Sequence, residues 1–280
     1  MSRLPHLHRP RSRIIKTRIL TALVALPLLV LFIVYASPMV FNLLVFGVGL
    51  LALHEFYGMA LTEDRQKIQL LAVVGGSLLL IPFAFGSIGY FQGVLVFLVL
   101  FFAVSFLFSF RDLARVVQEM GLVMLGLLYI PLLLGHLMLL RDLPFGREWI
   151  FFSLLCIMAC DSAAYFIGSA LGRRKLYPAI SPNKSVEGAL GGVSGTFVGA
   201  GLAKILFFQE LSWTDVVLLG GVLGVLGQLG DLFESMLKRS FKVKDSGTLI
   251  PGHGGILDRL DSLLFAFAPV YYYAFLFFKG

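Results

Sequence analysis

The stretch IGYFQGVLVFLVLFFAVSFLFSF, residues 88–110, contains no charged side chain. A helix needs roughly 20 apolar residues to cross the hydrocarbon core of a bilayer, so this stretch is long enough for one crossing. The same criterion, applied along the whole chain in both directions, gives nine candidate spans: 19–35, 39–60, 68–85, 88–110, 116–140, 149–171, 189–208, 214–237 and 260–278. We therefore predict an all-α polytopic membrane protein with about nine transmembrane helices.

The composition of the 280-residue chain excludes the other broad classes of protein. Hydrophobic residues make up 58% and charged residues 14%, with a mean hydropathy of +0.90. A soluble domain typically has about 45–50% apolar and about 25% charged residues, so this chain has too little charge for a water-facing surface. Its 27 Phe and 9 Tyr are equally incompatible with a disordered chain.

The formal net charge of +7 is unevenly distributed between alternate loops. The N-terminal segment and every second loop after it hold 19 Lys and Arg, whereas the intervening loops and the C-terminus hold three: Arg141, Arg147 and Lys279. Because positive residues accumulate on the cytoplasmic side, the N-terminus is predicted inside and the C-terminus outside. The charge is thereby explained by topology, and we expect no nucleic-acid partner.

The spans group into three regions of the chain. Residues 1–18 form a basic cytoplasmic segment, and the apolar run after it is too long for a signal peptide, which favours an uncleaved first helix. Residues 19–140 hold about five helices and few polar side chains. Residues 149–280 hold about four helices and two polar loops, 172–188 and 238–259, so we expect the catalytic region there.

Three acidic side chains stand out within apolar stretches of the second half: Asp161, and the pair Asp231 and Glu234 one turn apart. An ionised carboxylate in the membrane costs several kcal/mol, so it is expected to face a cavity, a cation or a functional site. The alternative is an Asp–Lys pair that holds helices together. Three acids toward one membrane face favour the functional interpretation.

Other polar or small residues have simpler structural interpretations. We expect an interfacial position for His54 and Glu55, a packed and hydrogen-bonded His136, and buried packing residues in Cys156 and Cys160. Glycines of two late spans indicate close helix packing, with room for a substrate as a second use. These are Gly195, Gly199, Gly220, Gly221, Gly224, Gly227 and Gly230.

The densest polar signal is SMLKRSFKVKDSGTLIPGHGGILDRLD, residues 235–261. The glycine-rich turn at 251–255 lets backbone N–H groups approach a ligand closely. Asp258 and Asp261 are three residues apart, hence on one face of a helix, and their hard oxygen ligands suit Mg²⁺. A basic membrane-proximal loop could instead hold anionic lipid headgroups, but the ordered mixture favours a catalytic site. Phosphate oxygens would be neutralised by Lys238, Arg239, Lys242, Lys244 and Arg259.

These residues resemble the signature of the phosphatidate cytidylyltransferase (CDP-diacylglycerol synthase) family. The family pattern S-x-φ-K-R-x4-K-D-x-small-x2-φ-P-x-H-G-G-φ-x-D-R-φ-D, with φ hydrophobic, is met at every specified position of 235–261. The family element S-P-K-K-T-x-E-G is similar to SPNKSVEG at 181–188, with Asn183 and Ser185 as departures. Asn183 therefore inherits no phosphate-binding role. An Asp-x-x-Ala-Tyr-x-x-Gly pattern at 161–168 is similar as well.

The resemblance implies that CTP and phosphatidate are converted to CDP-diacylglycerol and pyrophosphate with Mg²⁺, and it leaves room for a monovalent cation such as K⁺. It also implies a homodimer, and a bacterial cytoplasmic (inner) membrane with the active site facing the cytoplasm. Metal binding is assigned to Asp231 and Asp258, supported by Asp261. Catalytic roles are assigned to these three acids, Lys238 and Arg239. Substrate binding is assigned to Ser181, Lys184, Lys244, His253, Gly254, Gly255, Arg259 and Asp161.

Rival functions predict features that the sequence lacks. A transporter predicts acids in both halves and an internal repeat. A CTP-dependent polyprenol or phytol kinase would not carry the full signature, and a CDP-alcohol phosphotransferase needs an Asp-Gly-x-x-Ala-Arg motif. A non-catalytic scaffold would lack catalytic groups, and none is missing.

Overall fold

The computed structural model describes residues 26–109, 112–249 and 254–279. A 3₁₀ turn covers Glu63–Arg65, and a π-helical turn covers Leu128–Leu132. The helices are α1 (Leu26–Tyr35), α2 (Pro38–Ala60), α3 (Gln66–Ala84), α4 (Ile88–Ser109), α5 (Leu113–Leu127), α6 (Leu133–Asp142), α7 (Gly146–Leu171), α8 (Val186–Leu206), α9 (Trp213–Ser240) and α10 (Leu257–Leu276).

Each predicted span overlaps a helix, so the helical membrane architecture is confirmed, but the count of nine is not. Within the described ranges, seven helices are long and apolar enough to cross a membrane, with α5 and α6 continuous as Leu113–Asp142. Helix α1 is described for only 10 residues. Helix α10 begins with charged residues and later contains three consecutive tyrosines, which lower its apolar character.

Large apolar side chains cover the outside of the helix bundle. Phe108 is 83% exposed and Leu107 64% exposed, both on α4. Apolar side chains exposed to this extent would be unfavourable in water. A helix satisfies its backbone hydrogen bonds internally, so such a surface is stable in lipid. The exposed apolar surface is therefore the lipid-facing surface that the composition predicts.

One element departs from the predicted all-α fold. The loop 172–188 contains an antiparallel hairpin of β1 (Lys175–Tyr177) and β2 (Ser181–Ser185). Glu187, in the first turn of α8, accepts hydrogen bonds from the backbone N–H groups of Arg173 and Arg174, at 3.0 and 3.2 Å. The strands are short and polar without alternation, so their sequence gives no strand signal. The hairpin is instead held by its attachment to α8.

The glycines of α8 and α9 allow close helix packing, as predicted. A Cβ on Gly195 would lie 2.6 Å from the carbonyl oxygen of Ala159 on α7, and one on Gly230 would lie 2.5 Å from that of Asp261 on α10. A Cβ on Gly220 would meet the Phe197 ring at 2.8 Å. These glycines are used against neighbouring helices and not as open space for a substrate.

Buried side chains confirm two further structural interpretations. Cys156 and Cys160 are buried free thiols. His136 is buried against the rings of Phe83 and Tyr271, with Nδ1 2.6 Å from the carbonyl oxygen of Leu132. None of these three side chains needs a ligand to explain it.

Side-chain contacts group several of the described loops at two ends of the bundle. At one end, Arg65 pairs with Glu119 at 2.6 Å, beside the polar loops of the second half. At the other end, Arg141 donates to the carbonyl oxygen of Ala36 at 3.0 Å, and Trp149 packs on Phe208. The basic segment 1–18 lies outside the described residues, and which end faces the cytoplasm stays a prediction.

Candidate active site

A cavity of about 560 Å³ lies between α7, the hairpin, α8 and α9. Four of the predicted site residues line it: Asp161 from α7, Ser181 and Lys184 from β2, and Asp231 from α9. Asn183 and Gln228 add amide groups to its wall. We call this space the hairpin cavity. The structure thus brings together residues that the sequence separates by 70 positions.

An ion pair spans the hairpin cavity. Lys184 Nζ lies 2.6 Å from Asp231 Oδ2, and the two side chains are 27% and 30% exposed. Ser235, one turn further along α9, donates from Oγ to Asp231 Oδ1 at 3.3 Å. Because the pair is open to solvent, its net attraction is small, about 0–1 kcal/mol. A ligand can therefore compete for either partner at little cost.

A second cluster lies further along α9, where Glu234 and Lys238 follow Asp231 on the same face. Lys238 Nζ lies 3.0 Å from Glu234 Oε1 and 2.6 Å from Asp258 Oδ1. The side chains of Lys238, Glu234 and Asp258 are 11%, 0% and 6% exposed. We call these three residues the Lys238 cluster. An ammonium carries three N–H donors, so two carboxylate partners leave one donor over.

Asp258, at the start of α10, is held from both sides. Its Oδ1 accepts from Lys238, and its Oδ2 accepts from the backbone N–H groups of Gly255 and Ser246, at 2.8 and 2.9 Å. Ser246 Oγ lies 3.0 Å from the same oxygen. Burial alone would raise the pKa of Asp258, but these hydrogen bonds outweigh it and hold the pKa below its ordinary value. Asp258 is therefore a fixed anion.

Asp261 and Arg259 connect the two clusters electrostatically. Asp261 feels the charges of Asp231 and Asp161 on one side and of Lys238 on the other. Arg259 acts on Asp161. The first turn of α10 therefore interacts electrostatically with both the hairpin cavity and the Lys238 cluster.

The remaining predicted residues have other surroundings. Arg239 is exposed and donates from Nη1 to the carbonyl oxygen of Val243 at 3.0 Å, which stabilises the turn after α9. Lys244 is exposed in the loop that follows. Gly254 has a φ of +85°, in the left-handed region where glycine is favoured, and a Cβ there would collide with the Asp258 carboxylate. His253 lies outside the described residues.

Two residues of this region were missed by sequence reasoning. Ser246 contacts Asp258 through both its backbone and its hydroxyl. Glu55, predicted to be interfacial, accepts hydrogen bonds from the backbone N–H groups of Ile256 and Leu257, each at 2.9 Å. Its only sequence signal is a carboxylate near the end of an apolar span, which does not identify a partner about 200 residues away.

Comparison with known sequences shows the family of the chain. A sequence model of the cytidylyltransferase family matches residues 16–277. The chain belongs to this family. A phosphatidate cytidylyltransferase of Bacillus subtilis (strain 168) is 38% identical over 271 residues, which cover 94% of this chain and 98% of that protein. One of Brucella suis biovar 1 is 36% identical, covering 94% of each, and one of Staphylococcus epidermidis is 33% identical, covering 89% and 95%.

The region that matches the cytidylyltransferase family extends well beyond the sequence motifs. The sequence motifs cover roughly residues 155–265, whereas the family match begins at residue 16 and includes the whole N-terminal half of the described bundle. Glu55 and the helices around it are therefore part of the family architecture and not an unrelated membrane anchor.

The carboxylates of the site fit a hard divalent cation only in part. No ready-made group of three His, Cys, Asp or Glu ligands is found in the described portion of the chain. Asp161 and Asp231 line one cavity, and Asp261 interacts electrostatically with both of these carboxylates. Asp258 differs, because Lys238 holds one of its oxygens and three donors surround the other.

Proposed function

We propose that this chain transfers the cytidylyl group of CTP to phosphatidate, giving CDP-diacylglycerol and pyrophosphate. The observation that carries the proposal is the hairpin cavity, in which the Lys184–Asp231 pair meets Asp161 at the boundary of lipid-facing helices. Its volume of about 560 Å³ lies within the usual range for small-ligand sites, about 300–1,000 Å³. The names of the curated relatives support the same reaction.

The wall of the hairpin cavity suits a lipid substrate with a charged head. Its lining includes Tyr165, which is 70% exposed, and Leu176, together with Lys184 and Ser181. Exposed aromatic side chains near helix ends are typical of the membrane interface. We place the phosphatidate headgroup beside Lys184, with its acyl chains passing Tyr165 into the bilayer.

The chemistry needs little proton transfer. The phosphatidate phosphate oxygen is already anionic at neutral pH and attacks the α-phosphorus of CTP in line, and the bond to the leaving pyrophosphate breaks. Catalysis then depends mainly on positioning and on neutralisation of charge. Lys184 and Arg259 supply positive charge beside the hairpin cavity. The remaining N–H of Lys238 supplies one hydrogen-bond donor from the Lys238 cluster.

We propose that Mg²⁺ is held by Asp231 and Asp261, with water and substrate phosphate oxygens as its other ligands. When bound, Mg²⁺ would neutralise phosphate charge and favour the departure of pyrophosphate. The family resemblance also assigns Asp258 to the metal, together with Asp231 and Asp261. Its hydrogen bonds support a different role, in which it fixes Lys238 and the start of α10.

Further assignments stay proposals as well. The uneven distribution of Lys and Arg supports an active site on the cytoplasmic face of a bacterial membrane, with the N-terminus inside. A requirement for K⁺ and a homodimer rest on the family resemblance alone. Gly195 and Gly230 contact helices of the same chain, so they do not support a dimer.

The test is a direct assay of the purified protein. It is incubated in detergent–lipid micelles with phosphatidate, cytosine-labelled CTP and Mg²⁺, and labelled lipid and pyrophosphate are measured. We expect one pyrophosphate per CDP-diacylglycerol. Asp231→Asn should lose activity, whereas Glu210→Gln, an exposed carboxylate at the opposite end of the bundle, should retain it. Absence of lipid product from the unaltered chain would refute the proposal.

A further inference from the structure

We propose that Glu55 is a positioning residue, by which the N-terminal half of the chain fixes the geometry of the Lys238 cluster. This inference rests on the proposed function, because it concerns the same site. Glu55 lies on α2, a helix that contributes no side chain to the hairpin cavity. It acts on Asp258 through the backbone and through Ser246.

The contacts of Glu55 are unusually complete for a side chain near a helix end. Oε1 accepts from the N–H of Ile256 at 2.9 Å, and Oε2 accepts from the N–H of Leu257 at 2.9 Å. These are among the first N–H groups of α10, which have no partner within their own helix. A carboxylate at this position also interacts favourably with the positive end of the helix dipole. Glu55 thus caps α10 from a different helix.

Ser246 couples Glu55 to Asp258. Its Oγ lies 2.9 Å from Glu55 Oε2 and 3.0 Å from Asp258 Oδ2. A hydroxyl has one proton to donate, so the two carboxylates share a single donor. Loss of the Glu55 charge would commit that proton to Asp258 and alter the charge that Asp258 presents to Lys238.

The glycines of the loop are explained by the approach of Glu55. A Cβ on Gly247 would lie 2.7 Å from Glu55 Oε1, and a Cβ on Gly255 would collide with both Glu55 and Ser246. Glycine at these positions therefore makes room for a carboxylate from the same chain. The N–H of Gly255 is likewise used within the protein, by Asp258 at 2.8 Å.

A contact next to Glu55 also joins the end of α2 to the end of α9. Phe56, the residue after Glu55, is fully buried and packs edge-on against Phe241 just after α9, with ring centroids 6.1 Å apart. The end of α2 therefore touches both the C-terminal end of α9, which carries Lys238, and the N-terminal end of α10, which carries Asp258. A displacement of either end would separate the two partners.

The decisive variant is Glu55→Gln, which keeps the size of the side chain but turns one acceptor into a donor facing backbone N–H groups. We expect kcat to fall about 10- to 100-fold, the scale of a small misplacement of catalytic groups. The KM values for CTP and phosphatidate should change less than about threefold, because the hairpin cavity is untouched. The control is Glu210→Gln, the same chemical change at an exposed carboxylate between α8 and α9, which should leave kcat unchanged.

Two further measurements separate positioning from simple stabilisation. If Glu55 acts through Ser246, the kcat losses of Glu55→Gln and Ser246→Ala should not add in the double variant. Hydrogen exchange at the amides of Ile256 and Leu257 should quicken in Glu55→Gln, whether or not the protein has the proposed activity. An inert unaltered protein would refute the function, and unchanged exchange would refute the contact. Unchanged kcat in Glu55→Gln, or additive losses, would overturn the positioning role.

Discussion

Replacement of Lys238 by Met should destabilise the protein more than any other single loss of a cation at the site. The side chain keeps its length and apolar stem, but the ammonium that lies 3.0 Å from Glu234 and 2.6 Å from Asp258 is removed. Both carboxylates are almost completely buried, so water cannot replace the lost partner. Glu234 is fully buried and Lys238 is its cationic partner within the described chain.

The magnitude follows from burial and not from distance. Removal of one partner from a buried ion pair costs about 3–5 kcal/mol, because an uncompensated charge stays in the interior. At roughly 2 °C per kcal/mol for a chain of this size, the melting temperature should fall by about 6–10 °C. Lys184→Met removes a cation from Asp231 at the same distance of 2.6 Å, but from a pair that is 27% and 30% exposed. That change should cost at most about 1 kcal/mol, or about 2 °C.

The assay is thermal unfolding in detergent micelles at pH 7, followed by tryptophan fluorescence, to which the fully buried Trp149 and the exposed Trp213 contribute. Glu234→Gln in the Lys238→Met background should recover part of the loss, because a buried carboxylate without a cationic partner is replaced by a neutral amide. Equal shifts in melting temperature for Lys238→Met and Lys184→Met would refute the reasoning, since burial would then have no effect. A Lys238→Met protein as stable as the unaltered one would refute it as well.

Three further predictions concern Lys184, the metal and the packing of α9 against α10. Lys184→Met should lower kcat/KM about 10- to 100-fold, the equivalent of about 1.4–2.7 kcal/mol, although its melting temperature barely changes. Removal of divalent cations with EDTA should abolish product formation and added Mg²⁺ should restore it; undiminished turnover in EDTA would exclude the metal role. Gly230→Ala would place a Cβ 2.5 Å from the Asp261 carbonyl oxygen, so we expect overpacking of about 1–3 kcal/mol and a melting temperature lower by about 2–6 °C.

The helices could be predicted because lipid imposes a simple rule on them. Every span had to satisfy its backbone within itself and present apolar side chains for about 20 residues, and both properties are local in sequence. The hairpin at 175–185 follows no such rule, since its strands are short, polar and outside the apolar spans. Its formation depends on Glu187, whose carboxylate binds the backbone of Arg173 and Arg174.

The identities of the site residues could be predicted, but their partners could not. The acids, lysines and glycines of 161–261 stand out in an apolar chain, so their residue types were enough to indicate phosphate and metal chemistry. The pairing of Lys184 with Asp231, and of Lys238 with Asp258, depends on how α8, α9 and α10 pack together. Glu55 was the hardest case, because nothing near it in sequence indicates the amides of Ile256 and Leu257.

The two ion pairs of the site have different burial, and this difference suggests a division of labour. Lys184 and Asp231 are half-open, so separating them costs about 0–1 kcal/mol, well below what a charge-assisted hydrogen bond to a phosphate returns, about 1.5–3 kcal/mol. A substrate phosphate can therefore take Lys184 and release Asp231 for a cation. Lys238 and Asp258 are closed in, and breaking that pair costs more than a phosphate contact can supply. We therefore propose that the open pair exchanges partners during turnover, whereas the buried pair, positioned by Glu55, stays fixed.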